Sequence, residues 1–386
     1  MNAHPAGCAR EVQLQRDIVK SGDFPEAVSG GPKTALIIGG STGYGLASRL
    51  TAAFGYGAET VSISYEKEAS EKRPATPGWY NSRAFDALAE KEGLETISMN
   101  ADAFSHDTRK TAADLFRNKG KKVDLLVYSL ASGVRPDPDT GELYRSALKP
   151  IGETYTTRSV DFIKGTISQV SLEPATVEET AGTVKVMGGE DWRLWVNYLR
   201  DQDLIGESFK TVAFSYIGPE VTHPIYRSGT IGQAKEDLER TAREMNDALA
   251  PRGGKAFVSI NKAVVTRASA VIPAVPLYIS LLFKVMKQQN LHEGCIEQMI
   301  RLFKDRLYGG ETVPVDDNQL IRMDDWEMRG DIQEEVGRRW DAVTEENLNE
   351  LADMEGFLND FLRIHGFGVP GVDYEADVVL TDIPEL

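Results

Sequence analysis

Three tyrosine–lysine pairs share a spacing of nine positions: Tyr155/Lys164, Tyr226/Lys235 and Tyr278/Lys287. A tyrosine near a lysine suits hydride transfer, because the ammonium lowers the pKa of a phenol that donates to the oxygen gaining charge. None of the 13 tyrosines has a lysine four positions further on, which counts against alcohol–ketone chemistry of the Y-x-x-x-K type. Spacing alone does not select one pair.

Position along the chain selects among these pairs. Tyr226 and Lys235 follow a predicted strand over 211–216 and lie at the start of a predicted helix over 231–249, where a bound nicotinamide would meet its substrate. The tyrosine at 155 lies in an apparent insertion and the one at 278 in an apolar helix, so packing or surface roles are predicted for both. Tyr226 and Lys235 are therefore the predicted catalytic pair.

A glycine-rich turn follows the first predicted strand, over 34–39, and opens a predicted helix. Glycines there let the backbone turn sharply, approach a pyrophosphate and direct free N–H groups at it. The predicted cofactor-binding residues of the turn are Gly39, Gly40, Ser41, Thr42, Gly43 and Tyr44. A plain strand-to-helix turn is the alternative, since such a pattern is weak alone.

The second predicted strand, over 60–65, ends at Tyr65 and Glu66. An acidic side chain at this point can accept both hydroxyls of an adenosine ribose and would repel a 2′-phosphate, which favours NADH over NADPH. A solvated Glu66 paired with Lys67 is the alternative. Two further strand ends at the same sheet edge add predicted contacts to adenine and ribose, namely Asp102, Ala103, Leu130 and Ala131.

Apolar runs rich in β-branched residues alternate with helical stretches, which predicts an α/β fold with a doubly wound, Rossmann-type parallel sheet. The predicted strands are 34–39, 60–65, 96–100, 123–129, 211–216 and 256–261, and the predicted helices are 44–54, 81–92, 107–117 and 231–249. About eighty residues between the fourth and fifth strands indicate an inserted substrate-side lid region, with loop or short hairpin over 131–174. The predicted divisions are an NADH-binding half over 1–130, the insertion over 131–209, a catalytic half over 210–312 and a helical C-terminal extension over 313–386.

The composition excludes several partners. With 43 Lys+Arg and 59 Asp+Glu, the net charge of -16 would repel the phosphate backbone of a nucleic acid. The five histidines have no metal-ligand spacing with each other or with the two cysteines, so no metal site is predicted.

Neither a membrane span nor a signal peptide is predicted, since the chain has no run of eighteen apolar residues and no basic start leading into an apolar segment. The two cysteines fit a reducing compartment. We therefore expect a cytoplasmic protein without a membrane partner.

Longer motifs occur in a fixed order: GGSTGYGLAS at 39–48, PGWYN at 77–81, VMGGEDW at 186–192, SYIGPE at 215–220, PIY at 224–226, GTIG at 229–232, AK at 234–235, NKAVVT at 261–266 and PLYIS at 276–280. In these motifs the chain resembles the bacterial trans-2-enoyl-CoA and enoyl-acyl-carrier-protein reductases of the Y-x8-K type. The resemblance implies NADH-dependent reduction of the 2,3 double bond of an enoyl-CoA or enoyl-acyl-carrier-protein by a monomer.

The resemblance also implies roles for single residues. Tyr226 becomes the proton donor to an enolate, Lys235 a cofactor contact and Tyr216 a substrate contact. Val264, Val265 and Thr266 are implied to line the nicotinamide. Without the resemblance, Tyr216 is better interpreted as a buried strand tyrosine with a satisfied hydroxyl.

One cofactor is not predicted, and two alternative functions stay open at this point. The family carries a flavin-binding label on its C-terminal stretch, but we identify no glycine-rich phosphate turn over 313–386 and do not predict FAD. A ketone or aldehyde reductase on the same fold is a rival, disfavoured by the missing Y-x-x-x-K. The other rival is a regulator that binds NADH without chemistry, which would not require Tyr226 and Lys235 together.

Overall fold

Seven parallel strands form the centre of the computed structural model, which describes residues 3–22, 24, 30–267 and 269–386. The strands of the chain are β1 Thr34–Ile38, β2 Glu59–Ser64, β3 Thr96–Asn100, β4 Val123–Tyr128, β5 Val134–Pro136, β6 Leu143–Arg145, β7 Tyr155–Asp161, β8 Thr166–Leu172, β9 Ile205–Ser215, β10 Lys255–Ile260 and β11 Leu320–Arg322. The central sheet has the order β11-β10-β9-β4-β1-β2-β3. The predicted fold class is confirmed.

Helices cover both faces of this sheet. They are α1 Pro5–Ser21, α2 Gly43–Leu50, α3 Pro77–Lys91, α4 His106–Lys119, α5 Val177–Met187, α6 Glu190–Asp201, α7 His223–Tyr226, α8 Thr230–Leu249, α9 Val275–Gln288, α10 Cys295–Arg301, α11 Gly330–Ala342, α12 Leu348–Leu351 and α13 Met354–Ile364. One core lies between the sheet and α4, α6 and α8, and a second lies against α1, α2, α3 and α10. Because both faces are covered, β1 is buried at every position, as parallel strands require.

Five of the six predicted strands lie within a residue or two of strands in the sheet, whereas the sixth, β9, is longer than predicted. β9 begins six residues before the predicted start at 211, because Gly206, an exposed Glu207 and Ser208 with a φ of +55° interrupt the apolar run. Its pairing with β4 shifts register between Val123 and Leu125. The sheet thus tolerates a polar, irregular start that a sequence pattern does not predict.

The C-terminal extension contains α11, α12 and α13, as predicted, and also one short strand that was not predicted. Its β11 pairs in parallel with β10, with Val258 opposite Leu320 and Ile260 opposite Arg322. The backbone N–H of Met323 also donates to the carbonyl of Ile260 at 2.8 Å. A strand of three residues is too short for periodicity to reveal, so its partner defines it. The pairing crosses the predicted boundary at residue 312.

The insertion contains two antiparallel hairpins, β5–β6 and β7–β8, followed by α5 and α6. The β7–β8 hairpin packs on the C-terminal segment: the Phe162 ring lies 5.0 Å from the rings of both Phe357 and Phe361, and Arg158 Nη1 donates to the carbonyl of Val343 at 3.2 Å. A lid role for the insertion stays a prediction. Within the described ranges, no helix has the length and apolar character needed to cross a membrane.

Candidate active site

The glycine-rich turn lies between the end of β1 and the start of α2. Gly39 and Gly43 have φ values of +84° and +55°, which favour glycine. A Cβ on Gly39 would lie 2.2 Å from the carbonyl oxygen of Ser129, and one on Gly45 would lie 2.0 Å from the carbonyl oxygen of Gly39. The backbone is therefore packed as closely as a pyrophosphate-binding turn requires.

Glu66 is held against this turn. Ser41 Oγ donates to Glu66 Oε1 at 2.7 Å, and the Thr76 hydroxyl donates to the other carboxylate oxygen. A Cβ on Gly78 would lie 2.1 Å from Glu66 Oε1, so only glycine leaves room for the carboxylate. The side chain is 10% exposed, and Arg267 rather than Lys67 approaches it, at 4.0 Å. The alternative of a solvated Glu66–Lys67 pair is wrong.

The other predicted cofactor residues follow the carboxyl ends of neighbouring strands, as the topology requires. Tyr65, after β2, is 80% exposed, whereas Ala103, after β3, is buried. Asp102 Oδ1 already accepts the N–H of Phe104 at 2.9 Å. Leu130 is half-buried and Ala131 is exposed after β4. The sheet brings these positions to one edge with the glycine-rich turn, and their contacts to a cofactor stay predictions.

The loop after β10 contains Val264, Val265 and Thr266, of which the two valines are buried. Ser269 Oγ donates to the carbonyl of Val264 at 2.8 Å and receives a hydrogen bond from the N–H of Thr266 at 2.9 Å. The Tyr44 hydroxyl donates to the carbonyl of Lys262 at 2.8 Å. A residue of the glycine-rich turn thus binds the loop that is predicted to line the nicotinamide.

Tyr226 and Lys235 lie near the same edge, on α7 and α8. Burial raises the pKa of the Tyr226 phenol, and burial lowers the pKa of Lys235 to about 8 against a smaller opposing effect of Glu239. Lys235 Nζ donates to the carbonyl of Phe214 at 3.2 Å. Among the described residues, no hydrogen bond joins the two side chains or reaches the Tyr226 hydroxyl.

In this structure burial is the cause of the raised pKa of Tyr226, and the expected lowering of that pKa by Lys235 stays a prediction. Burial raises the pKa of the Tyr226 phenol because it penalises the charged form of tyrosine. The Tyr226 phenol therefore keeps its proton at neutral pH. Its hydroxyl is thus a donor with no partner inside the described protein.

Tyr216 lies directly after β9 and packs edge-to-face on Tyr226, with ring centroids 4.8 Å apart. Its hydroxyl donates to Glu327 Oε1 at 3.0 Å, and the Tyr278 hydroxyl donates to the same oxygen at 2.6 Å. Tyr278 is fully buried, in agreement with its predicted packing role, but its hydroxyl is part of a polar network. Sequence reasoning missed Glu327, because one glutamate in an acidic, helix-prone stretch gives no signal.

Models of protein families match nearly the whole chain. Residues 73–308 match the catalytic region of trans-2-enoyl-CoA reductase, and residues 1–71 match the NAD(P)H-binding domain of trans-2-enoyl-CoA reductase. Residues 315–378 match a model described as an enoyl reductase FAD-binding domain.

The residues of that last stretch do not fit a flavin dinucleotide. Contrary to our expectation, it does contain glycines in the order G-x-G-x-x-G, at 366–371. They follow α13 rather than a strand, no helix follows them in the described structure, and the first of them, Gly366, packs on the start of α1. A Cβ on Gly366 would lie 2.5 Å from the backbone nitrogen of Cys8, and Tyr374 Oη donates to the Gly366 carbonyl at 3.0 Å. Gly366 therefore serves packing, and the three glycines lack the strand-to-helix setting of a phosphate-binding turn.

Individual relatives agree with the family models. The chain is 52% identical over 377 residues to the enoyl-[acyl-carrier-protein] reductase [NADH] of Flavobacterium johnsoniae, covering 98% of this chain and 94% of that protein. It is 52% identical over 382 residues to the trans-2-enoyl-CoA reductase [NADH] of Brachyspira hyodysenteriae, covering 98% and 96%. The crystal structure of Treponema denticola trans-2-enoyl-CoA reductase in complex with NAD superposes with a TM-score of 0.95 at 50% identity, covering 98% of this chain and 95% of that one. The chain belongs to the trans-2-enoyl-CoA reductase family.

Proposed function

We propose that this protein uses NADH to reduce the 2,3 double bond of a trans-2-enoyl thioester to the saturated acyl thioester. The observation that carries the proposal is the free, protonated Tyr226 hydroxyl beside Tyr216, at the sheet edge that also holds the glycine-rich turn and the 264–266 loop. The names of the Flavobacterium and Brachyspira relatives support the substrate class. Bound NADH supplies the hydride that C3 receives.

The residues of the site have separate roles in this reaction. Negative charge develops on the thioester oxygen as C3 is reduced, and Tyr226 donates its proton or a hydrogen bond to that enolate. Uptake of a proton at C2 then completes the saturated acyl thioester. The Tyr226 hydroxyl makes no hydrogen bond with the described protein, so its proton is available to the oxygen of the enolate. Lys235 holds the cofactor through a donor on its ammonium, and Tyr216 contacts the substrate near the thioester. Val264 to Thr266 line the nicotinamide.

Cofactor selection is assigned to Glu66. Its two oxygens each accept one hydroxyl from the protein, which fixes the carboxylate at the end of β2 and leaves further lone pairs for ribose hydroxyls. A 2′-phosphate at the same place would meet a fixed negative charge. We therefore propose NADH as the cofactor, with the remaining contacts from Gly39 to Tyr44, Tyr65, Asp102, Ala103, Leu130 and Ala131.

Steady-state NADH oxidation with crotonyl-CoA, beside acetoacetyl-CoA, tests the function. We expect turnover of the enoyl thioester, preferred over the ketone. Preference for acetoacetyl-CoA would indicate a carbonyl reductase, and stoichiometric NADH binding without turnover would indicate a regulator. A matched assay with crotonyl-acyl-carrier protein distinguishes the two thioester carriers.

The proposal also includes the oligomeric state and the cellular compartment of the protein. We propose a monomer, which size-exclusion chromatography with light scattering checks. Both cysteines, Cys8 and Cys295, are unpaired, which supports the cytoplasm as the compartment.

A further inference from the structure

Glu327 is a fully buried carboxylate in the segment between β11 and α11. One oxygen, Oε1, accepts hydrogen bonds from the hydroxyls of Tyr216 and Tyr278. The other, Oε2, accepts the backbone N–H of Ala263 at 2.7 Å. Ala263 directly precedes the 264–266 loop. One carboxylate therefore contacts both the substrate-side tyrosine and the loop predicted to line the nicotinamide.

The charges around Glu327 do not form a simple ion pair. Lys262 Nζ, also buried, donates to the carbonyls of Ala263 at 2.9 Å and Glu293 at 3.3 Å, and not to the carboxylate. Asp324 is the nearby acidic group, and Arg322 pairs with it at 2.6 Å. Burial raises the pKa of Glu327, while the Tyr278 bond and Lys262 oppose that shift. A carboxyl group this costly to bury is held by directional hydrogen bonds.

The Tyr216 hydroxyl is confined on its other side. A Cβ on Gly218, which has a φ of +70°, would lie 2.5 Å from Tyr216 Oη. The ring of Tyr216 in turn packs on Tyr226. Because a phenol carries one proton, a Tyr216 that donates to Glu327 offers only its lone pairs to other groups. The direction of that proton depends on Glu327.

We propose that Glu327 is a positioning residue with two effects. It sets the direction in which the Tyr216 hydroxyl donates, and the Tyr216 ring in turn positions Tyr226. It also holds the 264–266 loop in place through the N–H of Ala263. The inference rests on the proposed function where it concerns turnover, since it acts through Tyr216. The C-terminal segment thereby contributes to the reductase site itself. This is a role other than the flavin binding for which its family model is named.

Glu327→Gln separates the two contacts. The amide has one oxygen and one NH2 group, and the Ala263 N–H requires the oxygen, since a donor opposite a donor would be unsatisfied. The NH2 group then faces both phenols, whose protons must point elsewhere. We expect kcat for crotonyl-CoA to fall roughly 10- to 100-fold, the range for a hydrogen bond to a charged group, with an unchanged Kd for NADH. Glu327→Ala removes both contacts and weakens NADH binding as well.

Glu334→Gln is the matched control, because Glu334 is an exposed glutamate on the neighbouring α11 and loses the same charge. A Tyr216→Phe variant completes a double-mutant cycle. If Glu327 acts through Tyr216, Glu327→Gln adds little to the loss in kcat of Tyr216→Phe. Losses that multiply, with thermal melting points lowered in parallel, would show a merely structural role and overturn the inference.

The measurements also separate this inference from the proposed function. A wild-type protein that reduces no enoyl thioester refutes the function alone. The Kd for NADH, measured by fluorescence without turnover, then decides the Glu327 inference. Equal Kd values for Glu327→Ala and the Glu334→Gln control would refute the loop contact, and a weaker Kd only for Glu327→Ala would support it.

Discussion

The cofactor side and the substrate side of the site are built differently. On the cofactor side, Ser41 and Glu66 meet across 25 positions of sequence, from the ends of adjacent strands. On the substrate side, Tyr216 reaches Glu327 across 111 positions, and that carboxylate belongs to a segment after the last strand. The first is a local turn with a neighbouring acid, whereas the second requires the C-terminal segment to close on the sheet.

This difference has a functional consequence. On the cofactor side, the proposed contacts are backbone N–H groups of the glycine-rich turn and the Glu66 carboxylate, which Ser41 and Thr76 already hold in place. The substrate side uses buried phenols, of which Tyr216 donates to Glu327 and Tyr226 donates to no group of the described protein. Substitutions on the cofactor side should therefore change which cofactor binds, and substitutions on the substrate side should change turnover.

Tyr226→Phe gives the largest expected effect and tests the substrate side. We expect turnover with crotonyl-CoA to fall about 10²-fold or more, the scale for losing an acid catalyst, with NADH binding near normal. Tyr155→Phe is the control, since Tyr155 has the same spacing to a lysine but lies in the β7–β8 hairpin. Full turnover in Tyr226→Phe would contradict the role of Tyr226 as proton donor. Equal losses of turnover in Tyr226→Phe and Tyr155→Phe would show that position in the chain does not distinguish the two tyrosine–lysine pairs.

Glu66→Gln tests the cofactor side with an intermediate effect. Loss of the fixed charge should raise kcat/KM with NADPH relative to NADH by about 10-fold, because repulsion of the 2′-phosphate is relieved. kcat with saturating NADH should change little. Glu71→Gln, an exposed change in the loop after β2, is the matched control. An unaltered NADPH/NADH ratio would contradict the role given to Glu66.

Lys235, which donates to the carbonyl of Phe214 on β9, gives the smallest expected effect. Burial lowers its pKa to about 8, so it is charged below that pH and neutral above it. A charge-assisted contact to the cofactor is then lost as pH rises, and Kd for NADH should increase about 5-fold through pH 8. Lys262 could produce an inflection at the same pH, because burial lowers its pKa to about 8 as well. Lys235→Arg, charged throughout, should abolish the inflection, and an inflection that persists would assign it elsewhere.

Several features were predictable because short-range rules produce them. Alternating apolar strands and helices predicted the wound sheet, and β1 to β4 and β10 were found within a residue or two of the predicted bounds. The glycine-rich turn was predictable because Gly39 and Gly43 adopt positive φ values that other residues avoid. Glu66 followed from its distance past that turn.

The amino-acid sequence by itself determined the strand–turn–helix start, the acidic end of β2 and the order of motifs that identifies the family, since each depends on residues close in the chain. Only the tertiary structure decided that β11 joins the sheet, that Gly366 packs on α1 and that Glu327 meets Tyr216. The burial that raises the pKa of Tyr226 also follows from the tertiary structure. Desolvation and hydrogen bonding between distant segments depend on which groups exclude water from one another, and no spacing in the sequence encodes that.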